Sequence, residues 1–141
     1  MTTRVILAVA VFLISGCGDK EADGPPAEPN LVPLTVQSIF TTNCAKSGCH
    51  AGSSPQQGMN LSENTAYGAI VNITSNEKST VKRIKPGDPD NSYLVQKIEG
   101  AVTITGDRMP KDQGASGPGG YLTQTDIDSV RAWVTAGALP R

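Results

Sequence analysis

The chain is poor in the side chains that usually fill a protein core. Six of its 141 residues are aromatic: two Phe, three Tyr and one Trp. Aromatic rings bury the largest apolar areas a chain can offer, so a domain built here needs another filling. Histidine is scarcer still, with one, and cysteine stops at three. Those counts exclude a zinc ribbon with several ligands per ion and a scaffold knit by several disulfides. Nor is there an excess of positive charge, since 12 Lys and Arg stand against 13 Asp and Glu. Phosphate backbones demand a concentrated basic surface, so nucleic acid is not an expected partner. No apolar run exceeds ten residues, too few for a permanent bilayer-spanning helix. What remains is room for one compact domain and a tail.

That longest run, residues 5–14, follows Arg4 and has the length of the apolar segment of a secretory signal. It ends in Leu13-Ile14-Ser15-Gly16-Cys17, which resembles a bacterial lipobox, where small residues precede a Cys that is acylated and becomes the new N-terminus. The resemblance implies a lipoprotein signal peptide over residues 1–16, lipidation at Cys17 and a membrane partner held through the lipid. A plain signal with Cys17 as a chance neighbour is the alternative. Gly18, not Asp, follows Cys17. In the lipoprotein pattern an Asp there marks inner-membrane retention, so the expectation is an outer-membrane site facing the periplasm or the cell surface. Residues 18–30 hold three Pro, two Gly, five charges and no apolar side chain larger than Ala. Such a segment cannot bury enough surface to offset its ordering entropy. Residues 17–31 therefore read as a disordered tether, reaching ~40 Å at about 3 Å per residue.

The domain proper spans residues 32–141 and reads as mostly helical, an all-α fold with long loops. Val36, Ile39, Phe40 and Cys44 fall at i, i+3, i+4 and i+8, an amphipathic stripe with Thr35 as its expected N-cap. A second helix is expected from Ser62 through Tyr67 to Ile70. A third starts near Asp90, carries Tyr93, Leu94 and Ile98, and stops at Gly100. The last has the clearest signature, with Thr123 as cap, Asp126 completing a box-like start, Ile127, Val130, Trp133 and Val134 on one side, and Gly137 at its end. Pro86-Gly87 marks a turn, residues 102–104 suggest a short strand, and residues 113–120 are too rich in Gly to be regular.

The chemistry concentrates in Cys44-Ala45-Lys46-Ser47-Gly48-Cys49-His50. Two thiols followed at once by His is the arrangement that attaches a c-type haem. Each sulfur forms a thioether with a porphyrin vinyl group, and the His is then held beneath the iron as an axial ligand. One haem, covalently bound by Cys44 and Cys49 and ligated by His50, is the expected cofactor. With Cys17 on lipid, no thiol is left free in an oxidising compartment. The common motif places two residues between the cysteines, and this chain has four. Gly48 gives the longer loop its freedom to fold. The second axial position falls to Met109 or Met59. Met109 lies 59 residues after His50 in Arg108-Met109-Pro110, where Pro110 stiffens the backbone. Met59 sits close behind the motif, where packing against the porphyrin or core suits it better. Met109 is preferred.

The order Cys44…Cys49-His50, Gly58-Met59-Asn60-Leu61, Ile84-Lys85-Pro86-Gly87-Asp88-Pro89, Arg108-Met109-Pro110 and Leu122-Thr123…Trp133-Val134 resembles bacterial monohaem c-type cytochromes, closest to the planctomycete-type cytochrome c domain. It covers about residues 34–139. The resemblance implies the class I cytochrome c fold, with N- and C-terminal helices packed together, His/Met-ligated iron at His50 and Met109, and single-electron transfer to a redox protein partner. No catalytic residue and no small-molecule substrate are expected; the chain is not read as an enzyme. Two alternatives stay open: a haem-based sensor of small ligands with a labile Met109, and a haem-free lipoprotein with a Cys44–Cys49 disulfide. Zinc is disfavoured because two Cys and one His supply three ligands. A Cys/His nucleophile is disfavoured because adjacent residues rarely align base and thiol. Lys78, Lys82, Arg83 and Lys85 form a local basic cluster that reads as a solvated face or a dock for an acidic partner.

Overall fold

A computed structural model describes residues 30–111 and 120–141. The signal segment, Cys17 and nearly all of the expected tether lie outside the described residues, as does most of the Gly-rich segment 113–120. The described part is mostly helical: α1 (Leu34–Asn43), α2 (Ala66–Ile70), α3 (Tyr93–Glu99) and α4 (Gln124–Thr135), with a 3-10 turn at Gln56–Gly58. Strand character is limited to isolated bridges that tie Val71 to Ile84, Thr74 to Lys82 and Lys82 to Ser92. Among the described residues no helix is long and apolar enough to cross a membrane.

Helix α4 is central, packing against both α1 and α3. Its buried face is Ile127, Val130, Trp133 and Val134, the expected side. Thr123 caps it reciprocally. Its Oγ1 accepts from the Asp126 N–H at 3.2 Å, and its hydroxyl donates to the Asp126 carboxylate at 2.8 Å. Helix α1 buries Val36, Ile39 and Phe40 as the stripe predicts, but it starts two residues earlier than expected. Pro33, not Thr35, holds the N-cap position without a side-chain bond. Proline at a helix start loses nothing, because the N–H it lacks would have no partner in the first turn.

Other expectations needed correction. Helix α2 begins at Ala66, not near Ser62. The chain between them spends its turn on the Ser62 carbonyl, which accepts from the Thr65 and Ala66 N–H groups, while the Asn60 side chain accepts from the Ser62 N–H. Helix α3 begins at Tyr93, three residues past Asp90. Ser92 holds the N-cap position, and Asp90 pairs with Arg131 of α4 at 2.6 Å. Residues 102–104 make a turn, not a strand, and Val102 stands fully exposed with no neighbouring strand. Gly100 ends α3 in a left-handed conformation at φ 74, where the Arg108 side chain lies against it and a Cβ would meet Arg108 Cδ at 2.7 Å.

The chain closes on itself at its two described ends. Arg141 donates from its backbone to the Leu31 carbonyl and from Nε to the Val32 carbonyl, both at 3.0 Å, and pairs with Glu63.

Candidate haem site

A cavity of about 490 Å³ opens between the end of α1, α3 and the loops that follow each. Helix α1 delivers Cys44 to it as its C-cap residue, with the Cys44 N–H donating to the Phe40 carbonyl at 2.8 Å. The four residues between the cysteines fold into a closed loop. Within it the Cys49 N–H donates to the Lys46 carbonyl at 3.0 Å and the His50 N–H to the Cys44 carbonyl at 3.2 Å. Gly48 takes a left-handed φ of 78 at its turn, the conformational freedom the long spacing requires. Cys44, Cys49 and His50 all line the cavity.

Met109 lines the same cavity, brought there from the far side of α3. Its N–H donates to the Lys97 carbonyl at 2.9 Å. The loop before it is tied down by a buried network. Lys97 Nζ reaches the Glu77 carboxylate at 3.0 Å and the Thr105 carbonyl at 2.8 Å. The Tyr93 hydroxyl donates to Glu77 at 3.1 Å and accepts from the Thr105 N–H at 2.9 Å. Met59 also lines the cavity and packs on the core, so the structure brings both candidate methionines to one cavity. Cys17 lies outside the described residues.

The electrostatics sort the reactive groups. Burial, with Cys49 adding to it, pushes the Cys44 thiol up to about 12. The thiol is therefore protonated at neutral pH, which argues against a nucleophile activated by its neighbours. Cys44 and Cys49 are free thiols, not joined to each other. Burial lowers the His50 pKa, opposed by hydrogen bonding to the Met59 backbone and reinforced by the Arg83 charge, so the ring is neutral at pH 7. His50 Nδ1 lies 3.2 Å from the Met59 carbonyl oxygen. A carbonyl only accepts, so Nδ1 carries the proton and Nε2 keeps the lone pair a metal needs. Sequence reading missed this role of Met59, because a backbone acceptor leaves no trace in residue type.

The basic cluster dissolves in three dimensions. Arg83 is buried, Lys85 pairs with Asp88 at 2.8 Å, and only Lys78 and Lys82 keep exposed amines without a carboxylate among the described residues.

The cavity suits a large apolar occupant with an anionic edge. Phe40, Leu61, Leu94 and Ile98 are core side chains that also line it. The lining carries four cations, Lys46, Arg83, Lys97 and Lys111, against two carboxylates, Glu77 and Asp107. A porphyrin disc with ionised side groups matches both properties, and the two thiols and neutral imidazole match its attachment and ligation. Among the described residues no group of three or more His, Cys, Asp and Glu could hold a metal ion on its own. No family model, curated protein or solved structure matches the chain.

Proposed function

We propose that the chain is a monohaem c-type cytochrome of class I architecture, anchored to a bacterial membrane through lipid on Cys17, that passes single electrons between redox proteins. One observation carries this reading: Cys44, Cys49 and His50 from one segment and Met109 from another far along the chain line one cavity, together with the core side chains Phe40, Leu61, Leu94 and Ile98. The packing of α1 on α4 supports the class I architecture, in which the first and last helices meet.

Bound there, haem supplies a one-electron iron couple. The chain supplies everything that holds and tunes it. Cys44 and Cys49 give the two sulfurs for thioether attachment, and neither needs to ionise in the finished protein. His50 presents its lone pair because Met59 holds its other proton. Met109 would offer its thioether as a further donor to the iron, a ligand type that raises the potential relative to a second His. The apolar lining would keep water from the bound group, and Lys46 and Arg83, the lining cations not paired with Glu77 or Asp107, would offset the charge of its anionic side groups. His50 and Met109 together would supply two donors to the iron, which favours a carrier over a ligand sensor.

The direct test is His50→Ala in protein matured with haem-attachment machinery. The low-spin absorption spectrum is expected to be lost while the covalent haem remains. A low-spin spectrum that persists unchanged would remove His50 from the site.

A further inference from the structure

Resting on the cytochrome reading, we propose that Arg83 is a positioning residue for His50: it clamps the loop whose next carbonyl orients the imidazole. Arg83 is only 6% exposed, and no ion pair among the described residues includes it. A buried guanidinium is costly unless its N–H groups find acceptors. Here they find backbone. Nη2 donates to the Gln57 carbonyl at 2.6 Å, and Nη1 donates to the Ala69 carbonyl at 2.7 Å and more weakly to the Gly58 carbonyl at 3.4 Å.

The gripped peptides are conformationally expensive. Gln57 and Gly58 have φ of 56 and 62. A left-handed conformation costs a non-Gly residue about 1–2 kcal/mol, so something must hold Gln57 there. A second donor helps: Asn76 Nδ2 reaches the same Gln57 carbonyl at 2.7 Å. The residue directly after this pair is Met59, whose carbonyl accepts from His50 Nδ1. Arg83 is itself firmly based. Its N–H donates to the Ile73 carbonyl at 2.7 Å, and its carbonyl accepts from the Leu94 N–H at 2.9 Å. A rigid cation thus fixes a strained loop one residue before the acceptor that sets the His50 ring plane and its share of the Nδ1 proton. Such outer partners tune a ligand's basicity.

The test uses the haem-loaded protein, its midpoint potential and the NMR shift pattern of its paramagnetic haem methyl groups, which reports the orientation of an axial imidazole. Arg83→Lys keeps the positive charge but cannot span three carbonyls. Asn76→Ala changes no charge and removes the weaker support from an exposed position. Both are expected to redistribute the methyl shifts and raise the potential, Asn76→Ala by less, because a loosened Nδ1–H donor makes His50 a poorer stabiliser of ferric iron. Potential and shift pattern both unchanged in the two variants, with stability alone reduced, would overturn the positioning role and leave the cytochrome reading intact. A low-spin spectrum that survives in His50→Ala would overturn both.

Discussion

Met109 and Met59 show how much a single residue's role depends on what surrounds it. Both line the cavity, but Met109 is delivered by a loop tied to α3, while Met59 already serves through its backbone. Met109→Ala is therefore expected to lower the potential and open the iron to carbon monoxide, and Met59→Ala to leave the iron closed. Carbon monoxide titration of the reduced variants checks it, and the reverse pattern would exchange the two roles. At this scale the grouping of Cys44, Cys49 and His50 was legible because they lie within seven residues, and the structure lines one cavity with all three. Arg83 was not. In the sequence it sits in a basic cluster, whereas in the fold it leaves its neighbours for three carbonyls belonging to residues 14 to 26 positions away.

The elements were legible where local signals and packing agree. Thr123, Asp126 and the apolar stripe of α4 all point to one helix, and that helix forms. The start of α3 was less legible: Ser92 holds its N-cap position, while Asp90 pairs with Arg131 of α4. The turn of residues 102–104 was misread because three consecutive β-branched residues imitate a strand, although among the described residues no second strand is present to pair with it. What holds this loop is Glu77, twenty residues before Lys97 and invisible to any periodic pattern. Glu77→Ala leaves a largely buried ammonium without its carboxylate and is expected to cost about 3 kcal/mol. Hydrogen exchange should rise in residues 101–109 more than in α4. Equal protection in variant and wild type would show that the network does not hold the Met109 loop.

At the scale of the whole molecule, the shortage of aromatic residues and the cavity are two views of one fact. A chain with six rings, of which Phe40, Tyr93 and Trp133 are buried, leaves a space its side chains do not fill. The shortage was legible in composition, and the cavity's position was not, because it depends on how α1, α3 and their loops meet. If haem is that filling, protein made without haem should melt non-cooperatively and bind hydrophobic dyes, since a ligand held only by the folded state stabilises that state. A sharp thermal transition in the haem-free chain, matching that of the loaded one, would mean the core is complete without it. The central claim, covalent haem on Cys44 and Cys49, is tested most directly by a pyridine haemochrome spectrum with intact mass, on protein expressed with haem-attachment machinery alongside a control cytochrome. The account predicts a c-type band and the mass of one haem added to the chain. A matured control beside a haem-free chain two hydrogens lighter than its reduced form would contradict it, and would instead mark a Cys44–Cys49 disulfide.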